Sequence, residues 1–189
     1  QATSAALSAG ISALQRLRMV TLAGDAPALL AESTLTTGDL VSDLFVCRDG
    51  SLINLTMNRT TQISETRRSY SLVYAQDIDG DGSVEIPAPE TAAADAGSGA
   101  AANTAAAVRG LVRWISYCGD ESPDVHCVTY HDLSAGWYFR LPDTWQGEAT
   151  FTTAENGAYE SQVVLLSNGQ PVAALYALTG DNREKRAMM

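Results

Sequence analysis

The sequence predicts a mainly β protein made of two small antiparallel β-rich modules, and three observations predict it. β-prone runs of about five or six residues, an ordinary strand length, recur between tight turns. Asp49-Gly50 and Asn168-Gly169 lie between such runs, and both pairs are hairpin signals. A stretch without large apolar residues, 88–108, separates the N-terminal runs from the C-terminal ones. The expected organisation is a meander or blade-type module over 1–87, an Ala/Gly-rich linker or long loop over 88–108, and a β or α+β module over 109–189.

Each element has its own signal. Leu7, Ile11, Leu14 and Arg18 recur at helical spacing, which favours a short amphipathic helix through about Ala13. The competing reading places Leu14, Leu17, Met19 and Val20 in a strand. Met19 to Ala23 is β-prone, and Gly24-Asp25-Ala26-Pro27 is turn chemistry before the apolar run Ala28 to Ala31. Leu40 to Cys47 reads as a strand, and Asp49-Gly50 turns the chain into Leu52, Ile53 and Leu55. Tyr70 to Ala75 and Ser83 to Ile86 read as two further strands. In the C-terminal module the strand signals are Leu111 to Tyr117, Cys127 to His131, Trp137 to Leu141, Ala149 to Thr152, Gln162 to Leu166 and Val172 to Leu178. A short helical turn is expected near Pro142, and the polar tail ending at Met189 suggests that a final strand is missing.

Composition narrows the function classes. The chain has 189 residues, with 22 Asp plus Glu against 12 Lys plus Arg, a net charge of −10. A protein that tracks nucleic-acid phosphates needs a large basic face, and these residues cannot build one. Every apolar run is too short to span a bilayer. The chain starts at Gln1 without a charged-then-apolar leader, which reads as a mature fragment whose targeting signal has been removed.

Part of the acidic excess is concentrated in Asp77-Ile78-Asp79-Gly80-Asp81-Gly82-Ser83-Val84-Glu85. Acidic side chains occupy positions one, three, five and nine, with Gly82 for the sharp turn and the Ser83 carbonyl at position seven. Calcium takes six to eight oxygens at about 2.3–2.6 Å, and alternating carboxylates in a tight loop can converge on one such centre. Two like charges 4 Å apart repel by about 4 kcal/mol at an effective dielectric of 20, so a convergent set calls for a cation. An EF-hand needs flanking helices and a bidentate Glu at position twelve. Here that position is Ala88, between Pro87 and Pro89, so the loop reads as strand-flanked. The alternative is an acidic surface turn that holds no metal.

The segment from Ser71 to Pro87 resembles the calcium-hairpin of FG-GAP/VCBS-type β-propeller repeats, in particular those of secreted lipoproteins of Gram-positive bacteria. The resemblance implies a partial propeller-blade-like sheet, a structural Ca2+, side-chain ligands Asp77, Asp79, Asp81 and Glu85, and Ser83 as carbonyl ligand. Glu85 departs from the Asp preferred at the ninth position of integrin-type loops. A second segment, Gly136 to Gly147 with its aromatic strand running into Leu141-Pro142-Asp143-Thr144-Trp145, resembles the opening hairpin of PsbP-like α+β domains.

Other chemistry is thinner. Cys118 and Cys127 bracket a short polar loop between two strands, a spacing that suits a disulfide in an exported protein; free thiols are the alternative, and a metal site with His131 and His126 a third. Cys47, inside an apolar strand, reads as a buried thiol, and His126, in an acidic loop, as solvated. A hydrolase acting on glycans or peptides would draw on His131, Asp132, Asp143 and Glu148, yet no Gly-x-Ser-x-Gly elbow accompanies them. The expectation is a non-catalytic exported or cell-surface protein, a binding or scaffold module for an extracellular or surface ligand. It would bind no nucleic acid, and incompletely covered sheet edges would allow a homodimer.

Overall fold

A computed structural model of the chain describes residues 3–69, 73–89, 109–118, 123–132, 136–146, 149–155, 159–165, 169–178, 180–181 and 183–188. The protein is mainly β, and its strands form antiparallel sheets. The proposed linker, apart from its first two residues, lies outside the described residues, as do Glu148, Asn168 and the start of the strand expected at Tyr70.

The N-terminal sheet is a meander. β1 (Ile11–Leu22), β2 (Ala26–Leu35), β3 (Leu40–Arg48) and β4 (Ser51–Asn54) lie side by side in chain order. The turn signals act as expected. Gly24 and Asp25 at φ 77° and 61° join β1 to β2, and Asp49 and Gly50 at φ 50° and 74° join β3 to β4. Positive φ at both central residues matches the twist of the flanking strands.

The helix expected through about Ala13 does not form: residues 3–10 are irregular or turn, and from Ile11 the chain is β1, as the competing strand reading of Leu14 to Val20 had it. Residues from Ile11 onward pair with β2, from Ile11↔Leu35 to Leu22↔Ala26. Register shifts after Ile11 and after Leu14 interrupt the two-residue alternation that would have marked a strand. Backbone pairing with β2 outweighs a weak helical spacing whose side chains are mostly exposed.

One core unites the sheet with later chain: Leu22, Ala28, Leu30, Leu44, Val46, Ala75, Val84, Ile86 and Tyr117. On the same face of β2 and β3, Glu32 lies opposite Ser42, and Arg68 donates to both side chains at 3.2 Å and 3.1 Å. Past the end of β4, side-chain hydroxyls take the place of a neighbouring strand. Leu44 N–H donates to Thr56 Oγ1 at 3.3 Å and Ser42 N–H to Thr66 Oγ1 at 2.7 Å, and Arg68 exchanges backbone bonds with Leu40. This satisfies an edge that would otherwise bury orphan backbone groups. Cys47 is exposed rather than buried, because the layer covering both faces of β3 from Leu40 to Val46 ends before it.

Residues 73–75, expected to close a strand, are irregular chain held by side chains: Arg68 Nε donates to the Val73 carbonyl at 3.0 Å, and Ala75 N–H donates to Glu32 Oε1 at 2.8 Å. The strand expected at Ser83 to Ile86 begins later, at Ile86. β5 (Ile86–Pro89), β6 (Arg109–Ser116), β7 (Asp124–Asp132) and β8 (Trp137–Arg140) form a sheet in that order. Trp114 on β6 and Thr129 on β7, both fully buried, share a 2.7 Å bond from the indole N–H to the hydroxyl.

The helical turn expected near Pro142 is a single 3-10 turn, Asp143–Trp145. β9 (Thr150–Glu155), β10 (Tyr159–Leu165) and β11 (Pro171–Leu178) form a third, antiparallel sheet in the order β11-β10-β9, before the short helix α1 (Arg183–Ala187). Two compact units result. One holds Gln1–Glu90 and Leu111–Tyr130, and the other contains His131–Met189. Leu111–Tyr130 clusters with the first unit because β6 pairs with β5, with Ile86 opposite Ile115. Among the described residues, no helix is long and apolar enough to cross a membrane.

Candidate metal centre

The acidic loop hangs between two anchors in the first unit. At its base Gln76 and Glu85 exchange backbone hydrogen bonds of 3.1 Å and 2.9 Å, and Val84 N–H donates to the Thr21 carbonyl of β1 at 2.9 Å. Before the base, Arg16 of β1 stacks over the Tyr74 ring at 3.4 Å, and Arg18 donates to the Ala75 carbonyl. The loop tip needs Gly80 at φ 84° and Gly82 at φ 93°, a region that side chains rarely adopt.

The tip folds around its own carboxylates. Asp77 accepts backbone N–H bonds from Gly80 at 2.6 Å, Asp81 at 3.1 Å and Gly82 at 2.9 Å. Glu85 closes the loop from below. It is fully buried, its Oε2 accepts the Ile78 N–H at 3.1 Å, and its Oε1 accepts the Ser116 hydroxyl of β6 at 3.4 Å. Burial pushes the Glu85 carboxyl above its ordinary range; the Ile78 N–H and His126 oppose this, and Asp81 and Asp79 add to it.

Three of the expected ligands converge. One carboxylate oxygen each from Asp77, Asp79 and Glu85 lies within 4.8 Å of the others. Oxygens around a single calcium at about 2.4 Å can be at most about 5 Å apart, so this spread suits one ion. The donors are all hard oxygens, the ligand class that calcium and magnesium take and that soft metals do not select. Asp81 stands outside this trio, with its Oδ1 accepting the Ser83 N–H at 2.7 Å, and Ser83 likewise is not among the three.

One residue at the site escaped sequence reasoning. His126 is only partly solvated: it is half-buried, and its Nε2 lies 2.7 Å from Asp79 Oδ2. The two are 47 positions apart, and no local spacing signals the contact. β7 carries His126 to the loop.

Cys118 and Cys127 are thiols, not a disulfide. Cys118 bridges Ala23 at the end of β1, whereas Cys127 is fully buried on β7. Among the described residues, no second group of three His, Cys, Asp or Glu side chains converges, so the Cys/His metal reading falls. His131 is buried and stacks on Tyr138 at 5.3 Å, and burial lowers its imidazole to about 4. Asp132 is fully buried, while Asp143 is exposed and accepts a 3.0 Å bond from Gln146 in its own turn. Trp145 in the 3-10 turn sits 6.4 Å from Phe139 of β8, ring to ring. No family model matches the chain, and no curated protein or solved structure matches it.

Proposed function

We propose that the loop from Asp77 to Glu85 holds one structural calcium ion, and that the chain is a non-catalytic exported or cell-surface module that binds or displays a partner on the scaffold the ion rigidifies. The observation that carries this reading is the convergence of Asp77, Asp79 and Glu85 oxygens within 4.8 Å of one another, with Glu85 fully buried at the loop base. A desolvated carboxylate beside two more is electrostatically unfavourable alone and favourable around a divalent cation. Asp81 and the Ser83 carbonyl would complete the shell with water. The resemblance of Ser71 to Pro87 to FG-GAP/VCBS-type hairpins of bacterial lipoproteins supports both the ion and the extracellular setting, where calcium is abundant enough for a loop of modest affinity.

Such an ion would lock the Gln76–Glu85 base and hold β5 in register with β6. Calcium at a hundred times Kd stabilises the folded state by about 2.7 kcal/mol. A melting curve in calcium against one in chelator therefore shows a rise of about 5–10 °C for a chain of this size. Asp79→Ala abolishes the rise. Identical curves for the wild type in the two conditions would sink the proposal.

A further inference from the structure

The chain entering the loop is not itself a strand; besides Arg16 and Arg18 of β1, a buried ion pair holds it. Glu32 and Arg68 are both fully buried, with Arg68 Nη2 3.2 Å from Glu32 Oε1. Arg68 also donates from Nε to the Val73 carbonyl at 3.0 Å, and from Nη1 to the Thr66 carbonyl and the Ser42 hydroxyl at 3.1 Å each. Glu32 Oε1 accepts the Ala75 N–H at 2.8 Å and the Ser42 hydroxyl at 3.3 Å. Among the described residues Glu32 Oε2 has no hydrogen-bond partner. The pair therefore meets through a single oxygen rather than as a bidentate fork, which is not the geometry that best compensates two buried charges. What this pair does make is two bonds to main chain immediately before Gln76, the residue that closes the loop base against Glu85.

We infer that Glu32 and Arg68 are positioning residues for the metal loop: by fixing the Val73 carbonyl and the Ala75 N–H to the sheet, they set where Asp77 presents its carboxylate. The inference rests on the calcium reading above and adds its regulation by the sheet. Unpinning residues 73–75 leaves the acidic side chains in place along the sequence but spreads their positions, so the ion must order the loop as it binds. Outer partners of metal ligands commonly change affinity by about 10–100-fold, and an effect of about tenfold or more is expected here.

The test uses the full chain and calcium alone, titrated calorimetrically. Glu32→Leu/Arg68→Met removes both charges together, a replacement that often leaves stability intact. Its calcium affinity falls by about tenfold or more while its circular dichroism stays that of the wild type. Glu32→Gln keeps an acceptor for Ala75 and loses less. Phe151→Ala, a destabilising change in the other unit, leaves affinity unchanged. If the double variant does not fold, amide exchange on the wild type decides. Calcium at a hundred times Kd slows Ala75 exchange by up to about a hundredfold if opening there is incompatible with the bound ion. Wild-type affinity in the folded double variant, or an Ala75 amide indifferent to calcium while Gly80 and Gly82 respond, overturns the positioning role and leaves the calcium site standing. A wild type that takes up no calcium overturns both.

Discussion

Two regions of this protein carry titratable groups that read as candidate sites, and they place them differently. In the loop from Asp77 to Glu85, three carboxylates are gathered to within 4.8 Å and one of them is fully buried. Among the described residues from His131 to Gln146, His131 is buried against Tyr138, Asp132 is buried on the same strand, and Asp143 is exposed in its own turn. The sequence offered both regions as candidate sites. Convergence separates them, because like charges brought together could hold a metal ion, whereas a buried neutral imidazole on an aromatic ring is core.

The sharpest way to break the comparison is to remove one carboxylate from each region. Calcium at a thousand times Kd stabilises the wild type by about 4 kcal/mol. Glu85→Ala loses the whole response, and Asp143→Ala keeps it, as read from melting curves in calcium and in chelator. A retained response in Glu85→Ala would place the ion elsewhere.

Acid separates the regions next, with opposite signs. Folding lowers His131 from 6.5 to about 4, so between those values the unfolded chain binds the extra proton. The contribution is fully present above pH 6.5 and is lost as pH falls toward 4, on the order of 3 kcal/mol. His131→Phe flattens that limb of the stability–pH curve. Glu85 is raised by burial, so the folded chain binds the extra proton from pH 4.5 up to its raised value. In metal-free protein that group therefore favours folding on acidification through the interval, and calcium binding, which needs the carboxylate, weakens there. Urea titrations at stepped pH, with Glu85→Gln as the control, resolve the two slopes. The smallest effect is at the loop rim. The His126–Asp79 pair is partly exposed, so His126→Ala changes metal-free stability by less than about 1 kcal/mol.

What the sequence disclosed and what it hid follow from the range of the forces involved. Turn chemistry is local, so Asp49-Gly50 placed the β3–β4 hairpin and the acidic spacing located the loop. The start of β1 was read as helix because its alternation is broken by two register shifts and its large side chains, Leu14, Leu17 and Met19, are exposed, whereas its end from Met19 was read as β-prone. Pairing with β2 determines that strand, and pairing is not a property of the segment alone. Residues 73–75 have strand-like composition but are held by Glu32 and Arg68, from elsewhere in the chain. His126 reaches Asp79 only because β6 and β7 lie against the loop. Local chemistry was legible, and long-range partners were not.

The central claim is that Asp77, Asp79 and Glu85 form one cation site, and calorimetric titration of calcium into chelator-treated protein tests it most directly. One ion per chain is expected for the wild type and no binding heat for Asp77→Ala or Glu85→Ala. Absence of binding in the wild type, or a full equivalent retained in either variant, would contradict it.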